Sequence, residues 1–452
     1  MKVLLINPPI DHMVTSTVPD FINSQMHTNP VPPLGLLYIA SYAEEQGHEV
    51  KVLDMIAQHF SLSLLKYWIK ESGWNPQVVG ITTTTLTLYD ALSIARAVKE
   101  VDPKIITVLG GAHTYIYPQE TLAFPEVDRI VIGEGELPFA RLLKDVWNYK
   151  AEVEIAEDID SLPFPARHLI DNSLYRSTLG KGKMMTGMIT SRGCPYNCSF
   201  CHQPHYGKRW RARSVESIAS EIEEIAKLRI NEIEIYDDTF TYDRDRVLSL
   251  CNWLSWWNHG ISWAIRTRVD KVDKALLRIM AKAGCKRINY GIESANPEVL
   301  KMLRKGITPE QSVGAVRMTK EAGIEVQAYF MIGSPRETKE QILNTIDFAN
   351  KLDADYCYYS ITSPCPSTLL YTLGMREGKF NDYWGDFARK PVANFKARFW
   401  GDLHRDELIG LMEKGYRSFY LRPKFILNQL SKVRSFSDLV NKAKVTLGIF
   451  SE

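Results

Sequence analysis

Short apolar runs recur along this chain, each followed by a stretch with helical spacing, and that alternation constrains the fold more than any other feature. Five runs fall in the first third: Val3 to Asn7, Val50 to Asp54, Val78 to Thr82, Ile105 to Leu109 and Arg129 to Ile132. Between them Leu34 to Gly47, opened after Pro32-Pro33 and closed by glycine, reads as a helix, as does Asp90 to Val101 with Leu92, Ala95 and Val98 on one face. Six more strand–helix units follow, with strands at Met184 to Ile189, Glu232 to Tyr236, Ile261 to Ile265, Arg287 to Tyr290, Val326 to Ile332 and Asp355 to Ile361, and their repetition implies a parallel barrel or partial barrel. Strands that are apolar throughout need cover on both faces, so they predict parallel sheets flanked by helices. The fold class is α/β. A doubly wound, flavodoxin- or Rossmann-like domain spans residues 1–150 and a parallel barrel or partial barrel spans 184–370. Between them, Glu152 to Asp160 is acidic and Leu162-Pro163-Phe164-Pro165 continues neither a helix nor a central strand, so 151–183 is expected to be a linker. Residues 371–452 read as a helical C-terminal region.

The run Met184 to Ile189 leads into Ser191-Arg192-Gly193-Cys194-Pro195-Tyr196-Asn197-Cys198-Ser199-Phe200-Cys201, three cysteines spaced C-x3-C-x2-C on one loop. Three thiolates from a short loop hold three corners of a cubane iron–sulfur cluster and leave the fourth iron without a cysteine. An iron with an open position takes an exogenous ligand, which suits catalysis better than electron storage. A zinc knuckle short of its fourth ligand and three free thiols are the bland alternatives; closed zinc sites take four protein ligands. The loop resembles that of the radical S-adenosylmethionine superfamily, with Phe200 as the aromatic before the third cysteine. The resemblance implies that Cys194, Cys198 and Cys201 carry a 4Fe-4S cluster, and that the amino and carboxylate groups of S-adenosylmethionine chelate its open iron. One electron then cleaves the sulfonium to a 5′-deoxyadenosyl radical, which implies an electron donor such as flavodoxin or ferredoxin as a partner. It also makes the barrel an open one of six strand–helix units, TIM-like.

In the first domain the strand ends carry small and hydroxylated residues, at the place where such sheets bind ligands. They are Thr82-Thr83-Thr84-Thr85, Gly110-Gly111-Ala112-His113 and Gly133-Glu134-Gly135-Glu136. Glycines here let backbone approach a large ligand, although each alone would also serve an ordinary turn. With Asn7-Pro8-Pro9 and Pro32-Pro33-Leu34-Gly35-Leu36, they resemble the cobalamin-binding domain found ahead of many radical S-adenosylmethionine domains. By that resemblance the threonine row, Gly110, Gly111 and His113 cradle the nucleotide tail, and Gly133, Glu134 and Gly135 lie along it. One departure matters: no D-x-H-x-x-G follows the first strand, and Asp11-His12 has the wrong spacing. A lone histidine in a polar loop is usually solvated, so the expected cofactor is a base-off cobalamin with no histidine ligand. Its lower face would be covered from the Ile10 to Val31 loop.

Charged residues stand at the strand ends of the second repeat. Tyr236-Asp237-Asp238-Thr239 offers a carboxylate to an ammonium group, and Arg266 or Arg268 a fork to a carboxylate. Gly291-Ile292-Glu293-Ser294 offers Glu293 to the hydroxyls of a ribose, and the turn Gly333-Ser334-Pro335-Arg336-Glu337 offers backbone to an adenine. Singly each could merely face solvent. In barrel order behind the cysteine loop, they match the superfamily's S-adenosylmethionine contacts, with the choice between Asp237 and Asp238 open. Ser363-Pro364-Cys365-Pro366 lies where substrate would enter; Cys365 reads as a packed thiol, with a radical relay as the alternative.

Seven cysteines in this scatter make no disulfide framework, and Cys251, Cys285 and Cys357 read as small buried hydrophobes. A net charge of +2 argues against nucleic acid as a partner. No apolar run nears the roughly 20 residues that span a bilayer, and Met1 to Ile6 is too short for a signal peptide, so a cytoplasmic location is expected. Beyond residue 371 aromatics abound, and from Gly410 onward eight Lys or Arg face three Asp or Glu. A helical cap on the barrel with a solvated basic face is expected. A dock for an anionic substrate, a protein or a peripheral membrane surface is the sharper reading. With no C-terminal C-x2-C motif, auxiliary clusters are not expected.

The resemblances together imply a cobalamin-dependent radical S-adenosylmethionine C-methyltransferase. Its acceptor would be an unactivated sp3 carbon, with a protein or peptide side chain such as glutamine favoured. The alternatives are an oxidase or cyclase of the anaerobic magnesium-protoporphyrin ester cyclase type and a non-catalytic corrinoid sensor.

Overall fold

In the computed structural model of the chain, residues 1–14, 30–177, 182–202, 205–257, 260–423 and 425–427 are described. The first sheet contains β1 (Lys2–Asn7), β2 (Glu49–Asp54), β3 (Val78–Thr82), β4 (Ile106–Gly110) and β5 (Arg129–Val131) in the order β2-β1-β3-β4-β5. All its pairs are parallel, and Ile6 of β1 sits opposite both Leu53 and Ile81. The chain therefore leaves β1 first to one side and then to the other. Between β1 and β3 the crossovers diverge and open a crevice at the carboxyl ends. Alternation along β1 fills two cores: Val3 and Leu5 pack with Leu37, Phe139 and Leu142, while Leu4 and Ile6 pack with Leu65, Leu88 and Ile94.

The second sheet begins with β6 (Met185–Met188). The chain then makes a separate two-stranded antiparallel ribbon of β7 (Ser191–Arg192) and β8 (Arg211–Ala212) around the cysteine loop. It returns to the sheet as β9 (Glu232–Ile235), β10 (Ser262–Thr267), β11 (Cys285–Glu293), β12 (Glu325–Ile332) and β13 (Tyr356–Ile361). Each strand pairs in parallel with the one before it, giving the order β6-β9-β10-β11-β12-β13 and an open, partial barrel. Val326, Ala328, Phe330 and Ile332 face the surrounding helices, so Gln327, Tyr329 and Met331 face the inside. The helix Pro309–Glu321 starts with a capping box of Thr308 and Gln311 and is followed by Gly323 at φ +79°.

The connector is stitched down along its length. Ala156, Ile159 and Leu162 form a small core with Tyr42 and Leu137, and the Tyr175 hydroxyl donates to Asp54 at 2.9 Å. The C-terminal region departs from the expected cap. Tyr371, Phe380, Tyr383, Trp384 and Phe387 join Leu4, Ile6 and Val79 in the core of the first domain. The helix Arg405–Tyr420 covers the barrel edge, where the Tyr416 hydroxyl accepts from Tyr359 N (3.0 Å) and donates to Tyr359 O (2.9 Å). The aromatic segment thus straps the barrel to the preceding domain. Most of the basic tail lies outside the described residues. Among those described, no helix is long and apolar enough to cross a membrane.

Candidate active site

The cysteine loop is fixed at its root by Asp237. Its Oδ1 accepts from the N–H groups of Thr190 (2.7 Å) and Ser191 (3.0 Å), and its Oδ2 from both hydroxyls at 2.6 Å each. The Arg246 guanidinium adds a contact at 3.5 Å, and the residue is 1% exposed. A carboxylate has about four acceptor sites, so nothing is left for an ammonium group. This corrects the inclusion of Asp237 among cofactor ligands and leaves Asp238. Gly193 sits at φ +88°, where a Cβ would lie 2.4 Å from Arg209 O and 2.8 Å from Gly207 O. Cys194 N donates to Gly207 O at 2.8 Å, and Ser199 N to Leu303 O at 2.9 Å, which pins the loop at both ends.

All three cysteines are free thiols. Burial pushes the Cys198 thiol up. It pushes Cys201 up to about 12, with Cys198, Asp238 and Cys194 adding their repulsion. Two thiols that resist ionisation alone become thiolates when a cationic iron centre supplies the opposing charge. Among the described residues no group of three His, Cys, Asp or Glu closes on a single metal ion. Three thiols from one loop match three corners of an iron–sulfur cluster, whereas a closed zinc site takes four protein ligands.

From the cysteine loop a cavity of about 430 Å³ runs into the first sheet. Cys201, His202 and Asp238 line one end; Thr82, Gly110, Gly111, Gly133, Glu134 and Gly135 line the other, with Leu5, Gly80 and Phe139 at its floor. Gly80 is decisive: a Cβ there would lie 2.8 Å from Leu5 and 3.4 Å from Phe139. At Gly111 (φ +114°) a Cβ would meet Thr83 O at 2.6 Å. Such a slot, walled by backbone and apolar side chains, fits the flat apolar part of a large nucleotide-bearing cofactor. Other expected residues stand behind the wall. The Thr83 hydroxyl points to Ile81 O (3.4 Å), and Thr84 pairs with Thr87 at the start of a 3-10 turn. His113 is fully buried with Nδ1 on the Thr85 hydroxyl at 3.1 Å, and burial alone drives its pKa down to about 4. His113 Nε2 has no partner among the described residues. Thr83, Thr84 and His113 thus shape the cavity without lining it. The loop expected over the lower face lies largely outside the described residues. His12, at its near end, pairs with Asp90 at 2.7 Å.

At the barrel mouth, burial and the neighbouring Asp237 hold the Asp238 carboxyl above its usual range, against the pull of Arg266. Arg266 lies 4.7 Å from the Tyr236 ring and has no salt-bridge partner among the described residues. Arg268 is committed: it forks onto Asp270 at 2.8 and 3.1 Å and stacks 4.0 Å over Tyr196 of the cysteine loop. Glu293, in the left-handed region at φ +70°, accepts Lys305 Nζ at 2.8 Å through one oxygen. Ser294 points the other way, fully buried with its hydroxyl on Thr345 (3.2 Å), which corrects its inclusion as a ligand. Phe200 packs with Val299, Leu303 and Leu370 and so anchors the loop. Gly333 (φ +72°) has Leu408 where a Cβ would be, and Glu337 occupies the Ser334 N–H at 2.9 Å.

Sequence reasoning missed Gly80, His202 and the buried arginines Arg192 and Arg211. A glycine inside an apolar strand signals close approach; the arginines left no pattern.

Residues 188–349 match the Radical SAM superfamily, and residues 27–143 a B12 binding domain. The chain is 34% identical to an uncharacterized methyltransferase of Pyrococcus horikoshii over 96% of each chain. It is 29% identical to the anaerobic magnesium-protoporphyrin IX monomethyl ester cyclase of Rubrivivax gelatinosus, over 89% of this chain and 76% of that one. Its fold is shared with a solved structure of the radical S-adenosylmethionine methyltransferase TsrM from Kitasatospora setae, bound to cobalamin and a 4Fe-4S cluster. That match has a TM-score of 0.65 at 20% identity and covers 83% of this chain and 75% of the other.

Proposed function

This chain belongs to the cobalamin-binding radical S-adenosylmethionine methyltransferase family, and from that premise we propose that it methylates an unactivated sp3 carbon, with a protein or peptide side chain such as glutamine as the candidate acceptor. One observation carries the reading: a single cavity joins the glycine-walled crevice of the first sheet to Cys201 and Asp238 of the barrel. When bound, the cluster would supply one-electron cleavage of S-adenosylmethionine, and the corrin the methyl group.

The chain's own residues divide the remaining tasks. Cys194, Cys198 and Cys201 would hold three irons. Asp238, held above its usual range by burial and by Asp237 and without a salt bridge among the described residues, would gain from an arriving ammonium group. Arg266 would take the methionine carboxylate, since Arg268 is spent on Asp270 and Tyr196. Glu293 keeps one carboxylate oxygen for a ribose while Lys305 holds the other. With the Ser334 N–H given to Glu337, carbonyls of that turn remain for an adenine. Gly80, Gly110 and Gly111 would admit the cobalamin tail in its base-off form, and flavodoxin or ferredoxin would feed electrons to the cluster.

A second reading is an oxidase or cyclase, favoured by the 29% identity to the Rubrivivax cyclase. Anaerobic turnover with substrate co-purified and identified by mass spectrometry separates them. Methyl transfer requires methylated product with both S-adenosylhomocysteine and 5′-deoxyadenosine. Turnover that yields 5′-deoxyadenosine but no product methyl would overturn methyl transfer in favour of the cyclase chemistry.

A further inference from the structure

Four charges bind the cysteine ribbon to the first domain. Arg192 and Arg211 are register partners across β7 and β8. Arg192 places one nitrogen 2.6 Å from Glu136 and another 3.1 Å from Glu134, and Arg211 forks onto Glu134. The Glu134 carboxylate also accepts Ala156 N at 3.1 Å, so it is fully engaged. All four side chains are nearly buried, with exposures of 13% for Arg192, 12% for Glu134 and 6% for both Glu136 and Arg211.

Buried ion pairs seldom stabilise more than an apolar contact of equal volume, because desolvation cancels the attraction. Four such charges are a costly way merely to join two domains. Their position suggests more. All four line the cavity, so an occupant would strip water from around them and strengthen each pair as the local dielectric falls. Gly193, which has no room for a Cβ, is all that separates Arg192 from Cys194. A shift of Arg192 is therefore passed to the first cysteine.

We propose that Arg192 is a positioning residue that couples the two cofactor sites, so that filling the cavity tightens binding of S-adenosylmethionine beside the cysteines. The inference rests on the reading above, in which the cavity takes cobalamin and the cysteines a cluster. By linkage S-adenosylmethionine must tighten cobalamin binding by the same factor.

The test is the Kd for S-adenosylmethionine, read from its perturbation of the reduced cluster's EPR signal, with and without hydroxocobalamin. Wild-type protein should bind about fivefold or more tightly with cobalamin present. In Arg192→Gln and Glu136→Gln that ratio should fall to one, with iron and corrinoid content unchanged. A purely structural strap would weaken both affinities and leave the ratio alone. Arg192→Lys keeps the charge but cannot fork to two glutamates, so it should give an intermediate ratio. It decides the matter if the glutamine variants fail to load iron. A wild-type ratio of one, or a wild-type ratio retained in the variants that load both cofactors, overturns the coupling. A wild-type preparation that takes up no corrinoid or no iron instead overturns the function on which the coupling rests.

Discussion

The two parallel sheets present their carboxyl ends to one cavity, yet they are built in opposite ways there. The first ends its strands in Gly110, Gly111, Gly133 and Gly135, which leave room. The second ends its strands in charged residues, of which Asp238, Arg266 and Glu293 keep groups uncommitted to the protein's own bonds. The crevice at such strand ends is a property of the topology; residue type decides what fills it. Where the two meet, glutamates of the space-giving side hold arginines of the charge-giving side.

Substitutions on each side should therefore fail separately. The largest effect belongs to Cys198→Ala, which should abolish the four-iron EPR signal and S-adenosylmethionine cleavage while corrinoid absorbance on loading stays as in wild type. Next is Gly80→Leu, which fills the slot beside Leu5 and Phe139. Overpacking of about 1–3 kcal/mol corresponds to cobalamin binding weakened roughly 10–100-fold, measured by equilibrium titration, with iron content retained. If Gly80→Leu lost iron and kept cobalamin, the contrast between the sheets would be broken.

The adjacent aspartates sharpen it further. Asp237→Asn removes charge-assisted bonds at the loop root and should cost about 1.5–3 kcal/mol of stability, with loss of iron. Asp238→Asn should leave Tm and iron content intact but weaken S-adenosylmethionine binding about tenfold, for one lost charge-assisted contact. An effect confined to stability concerns Glu337, whose pKa burial raises to about 7 despite its bonds to Ser334 and Gly333 N–H groups. The folded state holds that proton more tightly than the unfolded chain. Stability from this group is therefore full below the unfolded value near 4.5 and declines as pH rises toward 7. Glu337→Gln should match wild type at low pH and exceed it by about 1–3 kcal/mol at pH 8, measured by urea unfolding.

Much of this architecture is legible in the amino-acid sequence. The strand–helix alternation places the strands of both sheets to within a few residues, most plainly in the first sheet, whose doubly covered strands are almost wholly apolar. The three cysteines are equally plain. Asp237 and Asp238 cannot be told apart by sequence, since neighbouring residues take opposite sides of the chain and only the fold reveals which side holds the loop. Ser294, His113 and Thr83 look like ligands by their place in a motif, but burial turns their polar atoms to protein partners or away from the cavity. The aromatic segment around Tyr383 and Trp384 carries no mark of which domain it will cover. The Arg192 and Arg211 clamp joins residues far apart in the chain, and no spacing announces it.

The most direct measurement is EPR on one anaerobic preparation loaded with both iron and cobalamin, with the cluster reduced and the cobalt paramagnetic. A corrin seated in a cavity that also opens on Cys201 should sit close to the cluster, and the two signals should broaden or split through dipolar coupling. Full loading with two signals that behave as independent spins would place the cofactors in separate compartments and contradict the shared cavity.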